Sequence, residues 1–543
     1  MKNILKITLT TLVSAALLSG CIKETVPTNG ASSDQIADSP SALEALVRAI
    51  PAALVEAGSR GYAQDGAAWD FSYPAIHIAL ESMSGDLVPT GDTGYDWFSQ
   101  WGCNQSLGAD YAVGSLTWQN YYAWIKNANS LIGTIDEATA TPTTKSFLGF
   151  AYTYRALFYL DLVRLYEFKE NKYTSKPTVI GLGVPIVTPA TTEDEAKMSP
   201  RAPVADVYKM IFEDLEKATT LLEGYTANDK YSISLSVIYG LQARAYLERG
   251  TAENNSEAYA KAAEYARKAI TASGCTPLTQ DSWEDPTTGF NSVSASAWMW
   301  GIALPSESVA NLYNFTAHMS CEESWTSYGW RVGRGINKRF YDQIDNKDFR
   351  KHSWLDPNRD FYAYKSCRPD GKKHFAEKLK SYANIKFRPA QGDYANYKVG
   401  AAADHVLMRV EEMYFIEIEA TAHSNLSAAQ TLLNDFMKLR ILDGSYDCTT
   451  YSSLSDFINE VIFQKRVEFW GEGIIFFDLK RLGISTTRGY KGTNAPADYR
   501  LNADGVAPYW NFVISRGEIL NHPSLIDFNN PDPSDTITPW IDK

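Results

Sequence analysis

Five carboxylates stand where hydrolytic chemistry could sit: Glu412, Glu419, Glu468, Glu472 and Asp478. Cleaving a glycosidic bond needs two of them facing one sugar, one to protonate the leaving oxygen and one to attack or to activate water. Each of the five, however, lies in a helical pattern close to Arg409, Arg466 or Arg481. Inter-helix ion pairs are the expectation, and a glycosidase is the rival. Metal chemistry finds less to work with. The seven histidines are dispersed, with neither an HExxH nor a His/Cys cluster at zinc spacing, and His318-Met319-Ser320-Cys321 is the nearest approach. Asp86, Asp92 and Asp96 lie in a Gly-rich stretch that could hold a structural calcium, but the spacing is not that of an EF-hand loop and a solvated turn is expected. No Gly-x-Ser-x-Gly, Walker loop or GxGxxG occurs, and no other cofactor is expected.

Aromatic residues are the positive signal. Most of the 14 Trp and 32 Tyr belong to helical faces and are expected in the core. Two groups fall instead on Gly-, Ser- and Asp-rich segments: Tyr95, Trp97 and Trp101, then Trp325, Tyr328 and Trp330. A pyranose carries C–H bonds on one face and hydroxyls around its rim. A flat ring buries the first without breaking the hydrogen bonds of the second. Asp96, Gln100, Asn104 and Arg331 are near enough in sequence to bond those hydroxyls. Trp298 and Trp300, two apart in the strand-like run Ala297 to Leu304, share a side and are left to the core.

The elements that must carry these loops are helices. Apolar positions recur with helical period in Thr117–Ile135, Thr144–Tyr166 and Asp206–Glu223, then in runs through Leu235–Ala245 and Tyr259–Ile270. The last two look like one tetratricopeptide-type pair, with Gly240 and Ala243 at the crossing, tyrosines filling its ends and Gly274 as a stop. A further pair is expected at Arg409–His423 and Ser427–Arg440, and another helix at Asp456–Phe469. The fold class is mainly α, a helical-repeat scaffold with a helical core over about 41–275 and 405–483. Between them, 276–404 is a loop-rich, ligand-facing insertion containing short strands, and the tail after Asn521 is irregular.

Net charge is −13, from 51 Lys and Arg against 64 Asp and Glu, which excludes nucleic acid and anionic lipid as general partners. The N-terminus is a basic start at Lys2 and Lys6, an apolar run from Ile7 to Leu18, and then Leu18-Ser19-Gly20-Cys21. Residues 1–20 read as a secretory signal, Cys21 as a lipidated cysteine, and 21–40 as a flexible tether before a domain over 41–543. Cys103, Cys275, Cys321, Cys367 and Cys448 are scattered and odd in number, so they are expected as buried or free thiols.

Several landmarks then fall in the order found in one family. They are Trp118-Gln119-Asn120-Tyr121-Tyr122 with Asn129, Arg155 to Tyr166 followed by Gly183-Val184-Pro185-Ile186-Val187, and Val207-Tyr208 with Asp214-Leu215. Arg409 to Ala420 comes next, and then Arg466-Val467-Glu468-Phe469 with Gly471-Glu472-Gly473 and Phe477 to Arg481. The chain resembles the SusD/RagB family of outer-membrane nutrient-binding lipoproteins over nearly its whole mature length. It departs from the family pattern at Gln464-Lys465, Ile475 and Ser515. The resemblance implies a tetratricopeptide-like platform, non-catalytic capture of a glycan, a lipid anchor in the outer membrane facing the cell exterior, and a TonB-dependent (SusC-like) transporter as partner. The loops are too divergent for residue-by-residue transfer, so the ligand residues rest on the aromatic argument. A peptide-binding member of the same family and a scaffold for protein assembly stay open beside it.

Overall fold

The computed structural model describes residues 33–37, 39–58, 67–91, 96–326, 328–359, 366–367 and 379–542. The signal segment 1–20, Cys21, Asp92 and Tyr95 lie outside the described residues. The chain divides into a unit Met1–Ala45 and a unit Leu46–Lys543. Described parts of the first are the short helix Ser33–Ala37 and the start of a helix Pro40–Ala53; everything below concerns the second.

Ten helices form its frame: α1 (Ser72–Met83), α2 (Ala112–Thr134), α3 (Pro142–Tyr166), α4 (Val204–Leu221), α5 (Leu235–Glu253), α6 (Ser256–Ser273), α7 (Val410–Ala422), α8 (Leu426–Met437), α9 (Leu454–Phe469) and α10 (Ile475–Leu482). Local chemistry sets their ends. Thr141 caps α3 by accepting from the Thr144 amide, with Pro142 in its first turn, and Asn255 caps α6 by accepting from Glu257 and Ala258. Gly274 ends α6 in the left-handed region at φ 62°. The predicted α5–α6 hairpin is present. A Cβ on Gly250 would lie 2.7 Å from the Tyr259 ring, so the tyrosine fills a gap that only glycine leaves.

Neighbours pack in sequence order, α2 on α3, α3 on α4 and α5 on α6. The decisive contact is the next one, because α6 packs on α7 although 136 residues of chain lie between Ser273 and Val410. Residues 276–404 are thus looped out between two adjoining helices. Their first strand, β2 (Trp298–Ile302), returns antiparallel to β4 (His405–Arg409), just before α7 begins. Arg409, expected as helix, is therefore the last residue of a strand and the cap position of α7. Trp298 and Trp300 have no exposed surface, as their shared side required. A second ribbon pairs β1 (Leu87–Pro89) with β3 (Arg334–Ile336). The tail is irregular after the 3-10 turn Pro523–Phe528 yet firmly held: the Asn530 amide donates to the carbonyls of Tyr166 and Phe512.

Candidate functional site

The carboxylates considered for catalysis are each buried against cations. Glu468 accepts from Arg440 (2.8 Å) and Arg350 (3.0 Å) and pairs with Arg409. Burial works against its charge, yet Arg440, Arg350 and Arg409 together hold its pKa well below the ordinary range. Glu472 sits between Lys386 (2.7 Å) and Arg409 (3.0 Å), and Glu412 faces Arg244 (2.6 Å). Arg481 bridges Glu419 and Asp478, and Lys465 reaches Asp478 at 2.5 Å. These groups lock α7, α9 and α10 together. Lys465, one of the departures from the family pattern, is thus part of the joint. Arg466 is the correction: it pairs with Asp86 of the β1 approach rather than with any of the five carboxylates.

That pairing also bears on calcium. Asp86 is held by Arg466 and Asp96 by Arg334, in two separate ion pairs. Among the described residues no group of three or more His, Cys, Asp or Glu could hold a metal ion. His318 and Cys321 point apart. The imidazole Nε2 donates between the carbonyls of Ala68 and Leu312 (3.0 Å each), whereas the thiol reaches the Gly329 carbonyl. Cys103, Cys275, Cys321 and Cys448 form no disulfide.

The two aromatic segments, more than 200 residues apart in sequence, meet. The β1–β3 ladder continues into the loops through the Gly91 amide, which donates to the Val332 carbonyl at 2.8 Å. A Cβ on Gly91 would lie 1.9 Å from the Arg331 carbonyl oxygen, and one on Gly329 would lie 2.0 Å from that of Ser320. Glycine is what lets the backbones close. Beneath them the Asp96–Arg334 pair is buried, and Arg334 donates to the His318 carbonyl at 2.7 Å. A column of rings stands on this base. Phe71 and His318 lie 5.2 Å apart at 23°, His318 and Tyr328 4.5 Å apart at 25°, and Phe98 meets the imidazole edge-on. Burial, reinforced by the Arg334 charge, pushes the His318 pKa down to about 3. The ring is neutral and stacks as a neutral ring. Tyr328, half-buried, is the outer end of the column.

Sequence-predicted residues divide accordingly. Trp97 is half-buried and packs on Trp69 and Trp101; Tyr328 and Trp330 are half-buried, and Arg331 is exposed. Trp330 donates its indole N–H to the Thr326 carbonyl (2.7 Å) and leans on Cys321, Leu355 and Leu379. Trp325 is half-buried over Gly400, where a Cβ would sit 2.8 Å from its ring. Trp101 and Asn104 need correction as ligand residues. Trp101 has no exposed surface, because residues 97–102 form a helix that turns positions 97 and 101 to one face against Trp69. Asn104 is 1 % exposed and its carbonyl accepts from the Asp535 amide, tying the segment to the C-terminal tail. Phe71, Phe98 and Arg334 escaped the sequence reading, and His318 entered it only beside Cys321 as a weak metal motif. Only the pairing of β1 with β3 makes them neighbours, and no local pattern announces it.

Two family profiles match the chain: one described as "Starch-binding associating with outer membrane" over residues 67–247, and the SusD family over residues 278–521. The chain belongs to the SusD/RagB family. Solved SusD-type structures superpose along almost their whole length. A SusD-like carbohydrate binding protein from Bacteroides vulgatus ATCC 8482 is 23% identical, with a TM-score of 0.71 over 90% of this chain and 98% of that one. A SusD superfamily protein from Bacteroides thetaiotaomicron VPI-5482 is 19% identical, with a TM-score of 0.67 over 90% and 99%. One from Bacteroides fragilis is 17% identical, with a TM-score of 0.63 over 90% and 99%. At these identities the likeness establishes the SusD fold. No curated relative matches the chain. Outer-membrane association is part of the family's description, and among the described residues no helix is long and apolar enough to cross a membrane.

Proposed function

We propose that this SusD-family protein captures a glycan at the outer membrane, holds it without cleaving it, and passes it to a TonB-dependent transporter. Cys21 would carry the lipid that anchors it, with the binding face toward the cell exterior. The observation that carries this reading is the union of two distant aromatic segments into one hydrogen-bonded unit with half-exposed rings from each. Tyr328, backed by His318 and Phe71, offers a pre-organised flat surface, so little ordering entropy remains to be lost when a sugar ring settles on it. Trp97, Trp330 and Trp325 would extend the platform, and Arg331 would bond hydroxyls along the rim. The acid–base pair that a glycosidase needs finds no support in Glu412, Glu419, Glu468, Glu472 or Asp478, because each is neutralised by a buried Arg or Lys and faces the helix joint. The named relative from Bacteroides vulgatus, described as carbohydrate binding, points the same way.

Affinity electrophoresis of protein lacking residues 1–21, through gels containing a panel of polysaccharides, tests it. Retardation by a glycan whose chains stay full length is expected, with loss of retardation in Tyr328→Ala and Trp330→Ala. Shortened chains would replace capture by hydrolysis, and no retardation by any glycan would move the cargo to peptide.

A further inference from the structure

Large apolar side chains on a protein surface normally occur singly, and a cluster of them marks an interaction site. Among the described residues eleven are exposed, and six of these, Tyr111, Ile180, Met198, Leu520, Ile526 and Phe528, come from segments the fold gathers in one place. Hydrogen bonds fix the gathering. His522 Nε2 donates to the Ser199 carbonyl (2.6 Å), next to Met198, and Arg201 donates to the Phe528 carbonyl (2.9 Å). The Arg516 amide donates to Ala109 (2.7 Å), two residues before Tyr111, and the turn Pro177–Val179, which leads into Ile180, packs on Pro523–Phe528. Exposures of 71 % at Leu520, 58 % at Met198 and 54 % at Ile526 are far beyond what a packed surface leaves open.

Beside this patch lies a cleft of about 240 Å³, lined by Trp118, Tyr122 and Val187 and by Glu193, Lys197 and Glu518. It is smaller than the roughly 300–1,000 Å³ usual for a small-molecule site and suits one large side chain. Acidic groups outnumber basic ones around it, with Lys126 acting on Glu193 and His522 engaging Glu518 at 3.0 Å. The short helix Glu193–Met198 opens with Glu193, Asp194 and Glu195, all exposed, and Asp527 stands between Ile526 and Phe528. Lys197 is engaged by Glu193 (2.6 Å), and Arg516 is engaged by Asp110. Aliphatic Ile, Met and Leu side chains offer no flat face to a pyranose, but they do match the apolar side chains of a polypeptide.

We propose that this face docks a segment of another protein, one that sets an apolar anchor side chain into the cleft and carries basic residues beside it. The proposal is independent of the glycan reading and uses none of its residues.

Fluorescence anisotropy with labelled twelve-residue peptides tests it on the purified protein. The probes share a central Leu-Trp-Leu and differ in carrying Lys, Ser or Glu on both flanks. The Lys-flanked peptide should bind at least ten-fold tighter than the Glu-flanked one. The double variant Leu520→Ser with Ile526→Ser should weaken it at least ten-fold with an unchanged melting temperature. The double variant Asp194→Lys with Glu518→Lys should reverse the preference between flanks. Absence of binding by every peptide, equal binding of all three, or undiminished binding by the Leu520/Ile526 variant would overturn the proposal. So would loss of glycan retardation in that variant, because the face would then be a carbohydrate site.

Discussion

Two parts of the molecule are built from opposite materials. At the joint of α7, α9 and α10, Arg350, Arg409 and Arg440 converge on Glu468 with essentially no exposure, and Lys386 and Arg409 share Glu472. At the loop face the base is the buried ion pair Asp96–Arg334, and the groups stacked above it are aromatic. Ion networks dictate direction and register, so they hold helices at a fixed angle. Stacked rings fix a plane and leave its outer face free. The scaffold needs the first property and a binding surface needs the second.

The joint should be the easiest to break. Arg440→Ala leaves Glu468 to Arg350 and Arg409 and Glu411 to Arg409 in a buried site, and should cost about 3–5 kcal/mol in urea unfolding; a loss under 1 kcal/mol would show that the network does not carry the frame. Trp101→Ala should cost a similar amount, about 3–5 kcal/mol, by opening a cavity between Trp69 and Phe98. A ligand-facing Trp101 would instead leave the melt unchanged and abolish retardation, and that result would restore it to the binding face.

How much of each region could be read from sequence follows from the same contrast. The joint announced itself locally: Arg409 and Arg481 stand within helical patterns beside Glu412 and Asp478, and helical period alone placed α7, α8 and α9 to within a few residues. Which cation meets which carboxylate was not legible, since Arg466 turns to Asp86, 380 residues away. At the loop face the tryptophans were legible as a group, but their exposure was not. Trp97 and Trp101 look equivalent until a helix of six residues puts both on one side and encloses the second. Tyr328 gains its stacked position only through His318, and His318 its place beside Arg334 only through a ribbon joining Val88 to Gly335. Such non-local pairing leaves no periodic trace.

Acid should probe both regions together, at smaller cost. His77 and His318 are pushed down to about 3 by burial, and His405, bonded to His77 at 2.9 Å, is lowered as well. Between pH 6.5 and about 3 the unfolded chain binds protons at these histidines that the folded chain refuses, so their contribution to stability is complete above 6.5 and falls as pH drops below it; Glu81, whose pKa burial raises to about 8, works in the opposite sense. At pH 5 each such histidine costs up to about 2 kcal/mol. His318→Phe, which keeps a ring in the column, should remove up to about 2 kcal/mol of the loss between pH 6.5 and 5. An unchanged slope would mean that the loop column takes up a proton without opening.

On the proposed binding face, Tyr328→Ala should lower glycan affinity about ten-fold, or about 1.4 kcal/mol, while the urea midpoint stays within error. Loss of stability without loss of affinity would make Tyr328 a cover for His318 rather than a platform.

The smallest effect belongs to a residue two positions from the largest. Lys438 pairs with Asp435 at 2.7 Å, but both side chains are 62 % exposed, whereas Arg440 and Glu468 are fully enclosed. In water the Coulomb gain of the first pair is screened and offset by the entropy of holding two long side chains, so Lys438→Ala should change stability by less than about 0.5 kcal/mol. Raising the salt to 1 M should leave that difference near zero and should barely alter the cost of Arg440→Ala, because ions cannot reach the enclosed pair. If salt instead reduced the Arg440→Ala cost to the level of Lys438→Ala, the joint would be solvated in solution, and the division between an ionic frame and an aromatic face would fail at its firmer end.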